Sequence, residues 1–121
     1  MFTLDTNILI YYSKGDESVA VFMDQNRDQI FYLPTIAAVE FLSHPAIDHK
    51  TVKLFKFFTT QTIPISLDLT MAERAADIRR TYGLKLADAV IAATTVFTGS
   101  ILVTRNERDF RKVAGLQIVS I

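Results

Sequence analysis

Phe2-Thr3-Leu4-Asp5-Thr6-Asn7-Ile8-Leu9 reads as a short strand that stops at a charge. Phe2-Thr3-Leu4 suits an extended chain, Asp5 ends it, and Ile8 to Tyr12 continue apolar as a first helical turn or two. Similar short apolar runs recur along the chain. Ile30 to Leu33 is a compact strand candidate ended by Pro34. Ile63-Pro64-Ile65 is a short extended piece whose proline places it at a sheet edge. Ile101-Leu102-Val103 runs without polar interruption into Thr104 to Asp109, and Gln117-Ile118-Val119 closes the chain as a strand.

Helices are expected between these runs. Asp16 can cap one carrying Val19, Val21, Phe22 and Met23. Thr35 can cap another through Ile36, Val39, Glu40 and Phe41, and Asp48 a third through Val52, Leu54, Phe55 and Phe58. Thr70 and Glu73 have capping-box spacing before a helix that reaches Tyr82 and stops at Gly83. Leu86 to Phe97 is a further helix, and Asp109 to Val113 a short one. Apolar strands alternating with helices predict an α/β fold: a parallel sheet of about five strands with helices on both faces. No repeat, linker or low-complexity tract divides the 121 residues, so one domain over 1–121 is expected. Sheets of this kind carry their functional residues just beyond the carboxyl ends of the strands. Asp5 and the Thr104–Asp109 segment hold such positions.

Composition narrows the class. Half of the residues are apolar, and 13 basic residues balance 13 acidic ones, so the chain has material for a core and no disordered character. Net neutrality argues against a dedicated DNA-binding module, which is usually basic, without excluding a nuclease with an acidic site. The absence of cysteine removes disulfides, thiolate metal sites and a cysteine nucleophile. The N-terminal residues lack the pattern of a signal peptide and no run is long enough to span a bilayer, so a cytoplasmic protein without membrane attachment is expected.

Three carboxylates look out of place. Glu40 lies in Ile36-Ala37-Ala38-Val39-Glu40-Phe41-Leu42 and Asp88 in Leu86-Ala87-Asp88-Ala89-Val90-Ile91, both apolar helices, while Asp5 is wedged between an apolar strand and an apolar helix. An isolated buried carboxylate is costly unless it finds a cation, hydrogen bonds or a proton. Converging carboxylates raise one another's pKa, and a divalent metal reverses that effect. Oxygen-only ligands favour Mg²⁺ or Mn²⁺, and phosphodiester hydrolysis is a natural use of such a site. Each acid alone has an ordinary explanation. Asp5 can cap a helix, Asp88 can favour a helix dipole, Glu40 can pair with a buried cation and Asp109 can be a surface charge. The joint pattern favours the metal site.

These residues also carry a family resemblance. Leu4-Asp5-Thr6-Asn7-Ile8-Leu9, Glu40 in its Thr-x4-Glu-Phe setting, Leu86-Ala87-Asp88-Ala89-Val90-Ile91-Ala92-Ala93-Thr94 and Val103-Thr104-Arg105-Asn106-Glu107-Arg108-Asp109-Phe110 resemble, in order, the four motifs of PIN domains, specifically VapC-type toxins of toxin–antitoxin pairs. The resemblance implies a Mg²⁺- or Mn²⁺-dependent endoribonuclease, a homodimer and a small cognate antitoxin. It assigns Asp5, Glu40 and Asp88 to the acidic set, with Asp5 and Asp88 as the most direct metal ligands. Members of the family place the fourth acid either where this chain has Asn106 or where it has Asp109, so Asp109 is the better candidate, acting through water. Thr6 and Asn7 would support the first site, and Thr104 and Asn106 would bind water or phosphate or hold the loop.

Lys85, Arg79, Arg80, Arg105 and Arg108 flank the third and fourth motifs, and Arg105 is the strongest candidate among them for an RNA phosphate contact. His44 and His49 do not have metal-pair spacing. Phe55 and Phe58 share a helical face expected in the core, and Phe57 falls off it. Two other functions fit the outline less well. A PIN-like scaffold would have lost its acids. A phosphorelay receiver would need paired acids after the first strand, an Asp where Ser66 follows Ile65 and a Lys after the last strand.

Overall fold

The computed structural model describes residues 1–121. Five strands, β1 (Phe2–Leu4), β2 (Phe31–Pro34), β3 (Ile63–Ile65), β4 (Ile101–Val103) and β5 (Ile118–Val119), form one sheet in the order β3-β2-β1-β4-β5. Every neighbouring pair is parallel, with Leu4 of β1 opposite Val103 of β4. The connections carry seven helices: α1 (Thr6–Ser13), α2 (Glu17–Gln25), α3 (Thr35–Leu42), α4 (His49–Thr59), α5 (Leu69–Tyr82), α6 (Leu86–Thr98) and α7 (Glu107–Phe110). The expected α/β architecture is present.

Side-chain alternation along the strands separates two cores. Leu4, Phe31, Leu33 and Val103 face one side, where they pack with Ile8 and Leu9 of α1, Val19 and Met23 of α2, Ala37 and Phe41 of α3 and Phe58 of α4. Leu102 faces the other side, with Ala89, Ile91 and Ala92 of α6, Phe110 of α7 and Val113. α6 is buried continuously from Ala89 to Thr95 because α5 covers the side turned away from the sheet, where Met71 and Ala75 meet Val90 and Ala93. Alanine at 89, 92 and 93 lets the sheet and α5 both approach the α6 backbone closely.

The strand order reverses direction at β1. Chain entering from β1 moves outward to β2 and β3, then crosses back to β4 and β5 on the opposite side. Helices of the first half cover one face and α5 to α7 the other. At the carboxyl ends of β1 and β4 the connections diverge, which opens the crevice where open α/β sheets bind ligands.

The structure moves several expected boundaries. Thr35 is the first residue of α3, not its cap; Pro34, the last residue of β2, precedes the helix, and the Thr35 hydroxyl accepts from the N–H of Leu67 at 3.3 Å. The helix expected from Thr70 starts at Leu69, because the Asp68 carboxylate takes the N–H of Met71 at 2.8 Å. The short helix expected at Asp109–Val113 is Glu107–Phe110, started by the turn at Asn106. β1 is not apolar throughout in its packing: Thr3 is wholly buried, and its hydroxyl pairs with that of Ser100 at 2.6 Å. Asp16 and Asp48 cap α2 and α4 as expected, and Gly83 ends α5 in the left-handed conformation at φ 67°. Phe58 is buried and Phe57 exposed, as their positions on the helix predict. His44 closes a surface turn by accepting from the N–H of Ala46 at 3.1 Å.

Candidate active site

Asp5 stands at the point where the strand order reverses. Its N–H continues the sheet by donating to the carbonyl of Val103 at 3.1 Å, which brings Asp5 beside Thr104 at the ends of two adjacent strands. The Thr104 hydroxyl donates to Asp5 Oδ2 at 2.6 Å, and the N–H of Thr6 donates to Asp5 Oδ1 at 2.7 Å. A helix cap ordinarily accepts from an N–H deeper in the first turn. Asp5 takes only the outermost one, so it starts α1 while keeping its carboxylate at the edge of the sheet. A carboxylate has about four acceptor directions, so two remain unused by these bonds.

Neighbouring segments bring the other acids to the same end. α1 starts directly after β1 and α3 directly after β2, and the Thr6 hydroxyl donates across to Glu40 Oε1 at 2.6 Å. Asp88 lies in the first turn of α6, whose N-terminus returns to this edge of the sheet. Asp109 lies in α7, just past β4. The N–H of Asn106 donates to Thr104 Oγ1 at 2.9 Å, and its carboxamide donates to Asp109 Oδ2 at 3.1 Å. One chain of hydrogen bonds therefore runs from Asp5 through Thr104 and Asn106 to Asp109.

Electrostatics link these groups further. Asp5 is only 4% exposed, and its carboxyl is raised from its ordinary 3.8 to about 6. Burial is the main cause. The Thr104 hydroxyl opposes it, the charge of Asp88 adds to it, the N–H of Thr6 opposes it and Glu40 adds to it. Asp88 is also raised, first by burial and then by Glu40 and Asp109, with only Lys85 pulling the other way. Carboxylates thus repel one another across this edge, and a cation there would relieve them.

The arrangement differs from a tight cluster. No three Asp, Glu or His side chains stand close enough together to hold one metal ion between them. Glu40 is exposed and not buried as expected, because α3 turns Val39, Glu40 and Leu42 away from the core and buries Ala37 and Phe41 instead. Asn7, in the first turn of α1, keeps its Oδ1 buried without a hydrogen-bond partner. A buried acceptor left unpaired costs about 1–3 kcal/mol unless a donor or cation reaches it.

Arg105 is engaged away from the acids. Its guanidinium pairs with Asp16 at 2.8 Å, donates to the Ser18 hydroxyl at 2.7 Å and to the main-chain oxygen of Ile121 at 2.8 Å, and covers the Tyr11 ring at 4.0 Å. Arg105 thus forms an internal brace between α1, the start of α2 and the chain end. Asp16 is both the cap of α2 and the partner of Arg105. Its partner lies 89 positions away, and no local pattern signals the pairing. Two lysines face these acids: Lys85, directly before α6, offsets the charge of Asp88, and Lys112 Nζ lies 3.9 Å from Asp109 Oδ1.

The family model of the PIN domain matches residues 2–116. The chain belongs to the PIN domain family. Solved structures agree in fold over nearly the full length. VapBC2 from Rickettsia felis, bound to a DNA fragment from its promoter, superposes with a TM-score of 0.87 at 17% identity, covering 99% of this chain and 98% of that one. The DNA-bound VapBC from Salmonella typhimurium gives 0.85 at 22% identity, covering 98% and 96%. A toxin–antitoxin complex from Klebsiella pneumoniae gives 0.81 at 26% identity, covering 98% and 96%. No curated protein matches the chain. PIN membership replaces the receiver reading, and no helix is long and apolar enough to cross a membrane.

Proposed function

We propose that this chain is a VapC-type PIN toxin, a metal-dependent endoribonuclease held in check by a cognate antitoxin. The observation that carries the reading is Asp5, a carboxylate buried where the strand order reverses and raised further by the charges of Asp88 and Glu40. PIN membership and the likeness to toxin–antitoxin complexes support it.

The donor set fits a hard divalent ion. Every side chain in question offers oxygen, the acids repel one another, Asp5 has unused acceptor directions, and a buried amide oxygen lies two residues on, at Asn7. With no three acids in direct ligating range, Asp5 and Asp88 are assigned as direct ligands of Mg²⁺ or Mn²⁺, and Glu40 and Asp109 as acting through water. When bound, such an ion activates water, orients the phosphate and stabilises the leaving oxygen.

The protein's own groups do the rest. Thr104 and the N–H of Thr6 keep Asp5 ionised against its burial, since both bonds favour the charged form. Thr6 holds Glu40 toward the crevice. Asn106 holds Asp109 in place through its carboxamide. Lys85 is assigned to the RNA phosphate as a positioning contact. The remaining elements of this reading are one domain over 1–121, a homodimer and a cytoplasmic setting.

Cleavage of transfer and ribosomal RNA tests the reading in Mg²⁺ or Mn²⁺, in EDTA, and with Asp88→Asn. Metal-supported cleavage that drops by about 10²–10³ in the variant, the size of losing one strong electrostatic contact in a transition state, is expected. Cleavage that persists in EDTA or in Asp88→Asn overturns it.

A further inference from the structure

Thr104 and Arg105 are adjacent just past β4, and the chain bends at Arg105. Thr104 turns to Asp5, while Arg105 turns to the face covered by α1 and α2. There it ties its own loop to three separated pieces of chain. Tyr11 at the end of α1 lies beneath the guanidinium, Asp16 and Ser18 at the start of α2 take two of its nitrogens, and Ile121 beyond β5 takes the third. The Asp16 carboxylate is itself fixed, because Oδ1 accepts from the N–H of Ser18 at 3.0 Å while Oδ2 receives Arg105. The side chains of Arg105 and Asp16 are 25% and 28% exposed, so the pair is largely sheltered from solvent.

The chain on either side of Arg105 builds the site. Thr104 holds Asp5, and Asn106 binds Thr104 through its N–H and Asp109 through its carboxamide. The loop has no other side-chain anchor on the α1–α2 face. We propose that Arg105, locked by Asp16, is a positioning residue that fixes the loop carrying Thr104, Asn106 and Asp109 and never touches RNA. The proposal rests on the nuclease reading for its kinetic consequence, but its structural consequence stands alone.

The test compares Asp16→Asn, Arg105→Gln, the double variant and Arg105→Lys in the full chain. Asn caps a helix as well as Asp does, so α2 keeps its start in Asp16→Asn. Hydrogen exchange at the Asn106 amide, which is protected by Thr104 Oγ1, is the first readout. Exchange about tenfold faster in each single variant, and no faster in the double variant, is expected, because two residues of one brace are not additive. Arg105→Lys keeps the charge but loses the forked contacts to Ser18 and Ile121, so it recovers only part of the protection. The second readout is RNA cleavage. Displacement of the loop lowers kcat by about tenfold or more, in line with the cost of small misplacements, and leaves KM unchanged.

Unchanged exchange at Asn106 in Asp16→Asn and Arg105→Gln overturns the proposal. So does a raised KM with intact kcat in Arg105→Gln alone, which marks a phosphate contact. A wild-type protein that cleaves no RNA defeats the nuclease reading and leaves exchange at Asn106 to decide the brace.

Discussion

Replacing Asp5 by Asn in the metal-free protein isolates the cost of the buried charge. The Asp5 carboxyl is raised from 3.8 to about 6 in the fold. Below 3.8 the folded and unfolded states are both protonated and the charge costs nothing. Between 3.8 and about 6 the unfolded chain gives up its proton first, so stability falls as pH rises. Above about 6 both are ionised and the full difference remains, roughly 3 kcal/mol from the separation of the two values. Asn carries no charge and escapes this loss. Its amide oxygen can accept from the N–H of Thr6 and its amide nitrogen can donate to the Thr104 hydroxyl, which must then turn its own proton elsewhere. One rearranged hydrogen bond costs on the order of 1 kcal/mol. Asp5→Asn is therefore expected to be about 1–2 kcal/mol more stable than wild type near about pH 7.5, as judged from these opposing magnitudes. The advantage disappears at about pH 4, the ordinary range of a carboxyl group. Urea unfolding in EDTA at the two pH values measures it directly. Mn²⁺ should reverse the ranking by stabilising only the protein that binds it. A variant less stable than wild type at neutral pH, by a margin that pH does not change, would refute the buried-charge reasoning.

Thr104→Val removes the donor to Asp5 Oδ2 and so raises the Asp5 carboxyl above about 6. Protons then compete better with metal, and the acid limb of Mn²⁺ binding should move to higher pH by about one unit, measured by calorimetric titration across pH. Phe58 is 1% exposed and its ring lies 4.8 Å from that of Tyr12, so Phe58→Ala should cost about 3–5 kcal/mol in denaturant unfolding. Phe57→Ala, at a side chain 59% exposed, should change stability by less than about 0.5 kcal/mol.

Much of the fold could be read locally. Asp16 and Asp48 are caps in sequence and in structure, and Gly83 adopts the left-handed end that only glycine takes cheaply. The boundaries that moved did so because another polar group was better placed. Asp68 reaches the N–H of Met71, and Thr35 is drawn away to Leu67. Glu40 is exposed although its helix, rich in Ala, Val and Leu, is apolar all round in sequence, because α3 packs on one side only.

The sequence by itself determined the order of strands and helices, their parallel pairing and the acids that follow strand ends, since these depend on apolar periodicity and on residues a few positions apart. Only the tertiary structure decided that Thr104 grips Asp5, that Thr6 reaches Glu40, and that Arg105 is locked to Asp16. Those partners lie 99, 34 and 89 positions apart. Their meeting is set by which strands lie side by side and which face each side chain takes, and a hydrogen bond at such separation leaves no trace in local sequence.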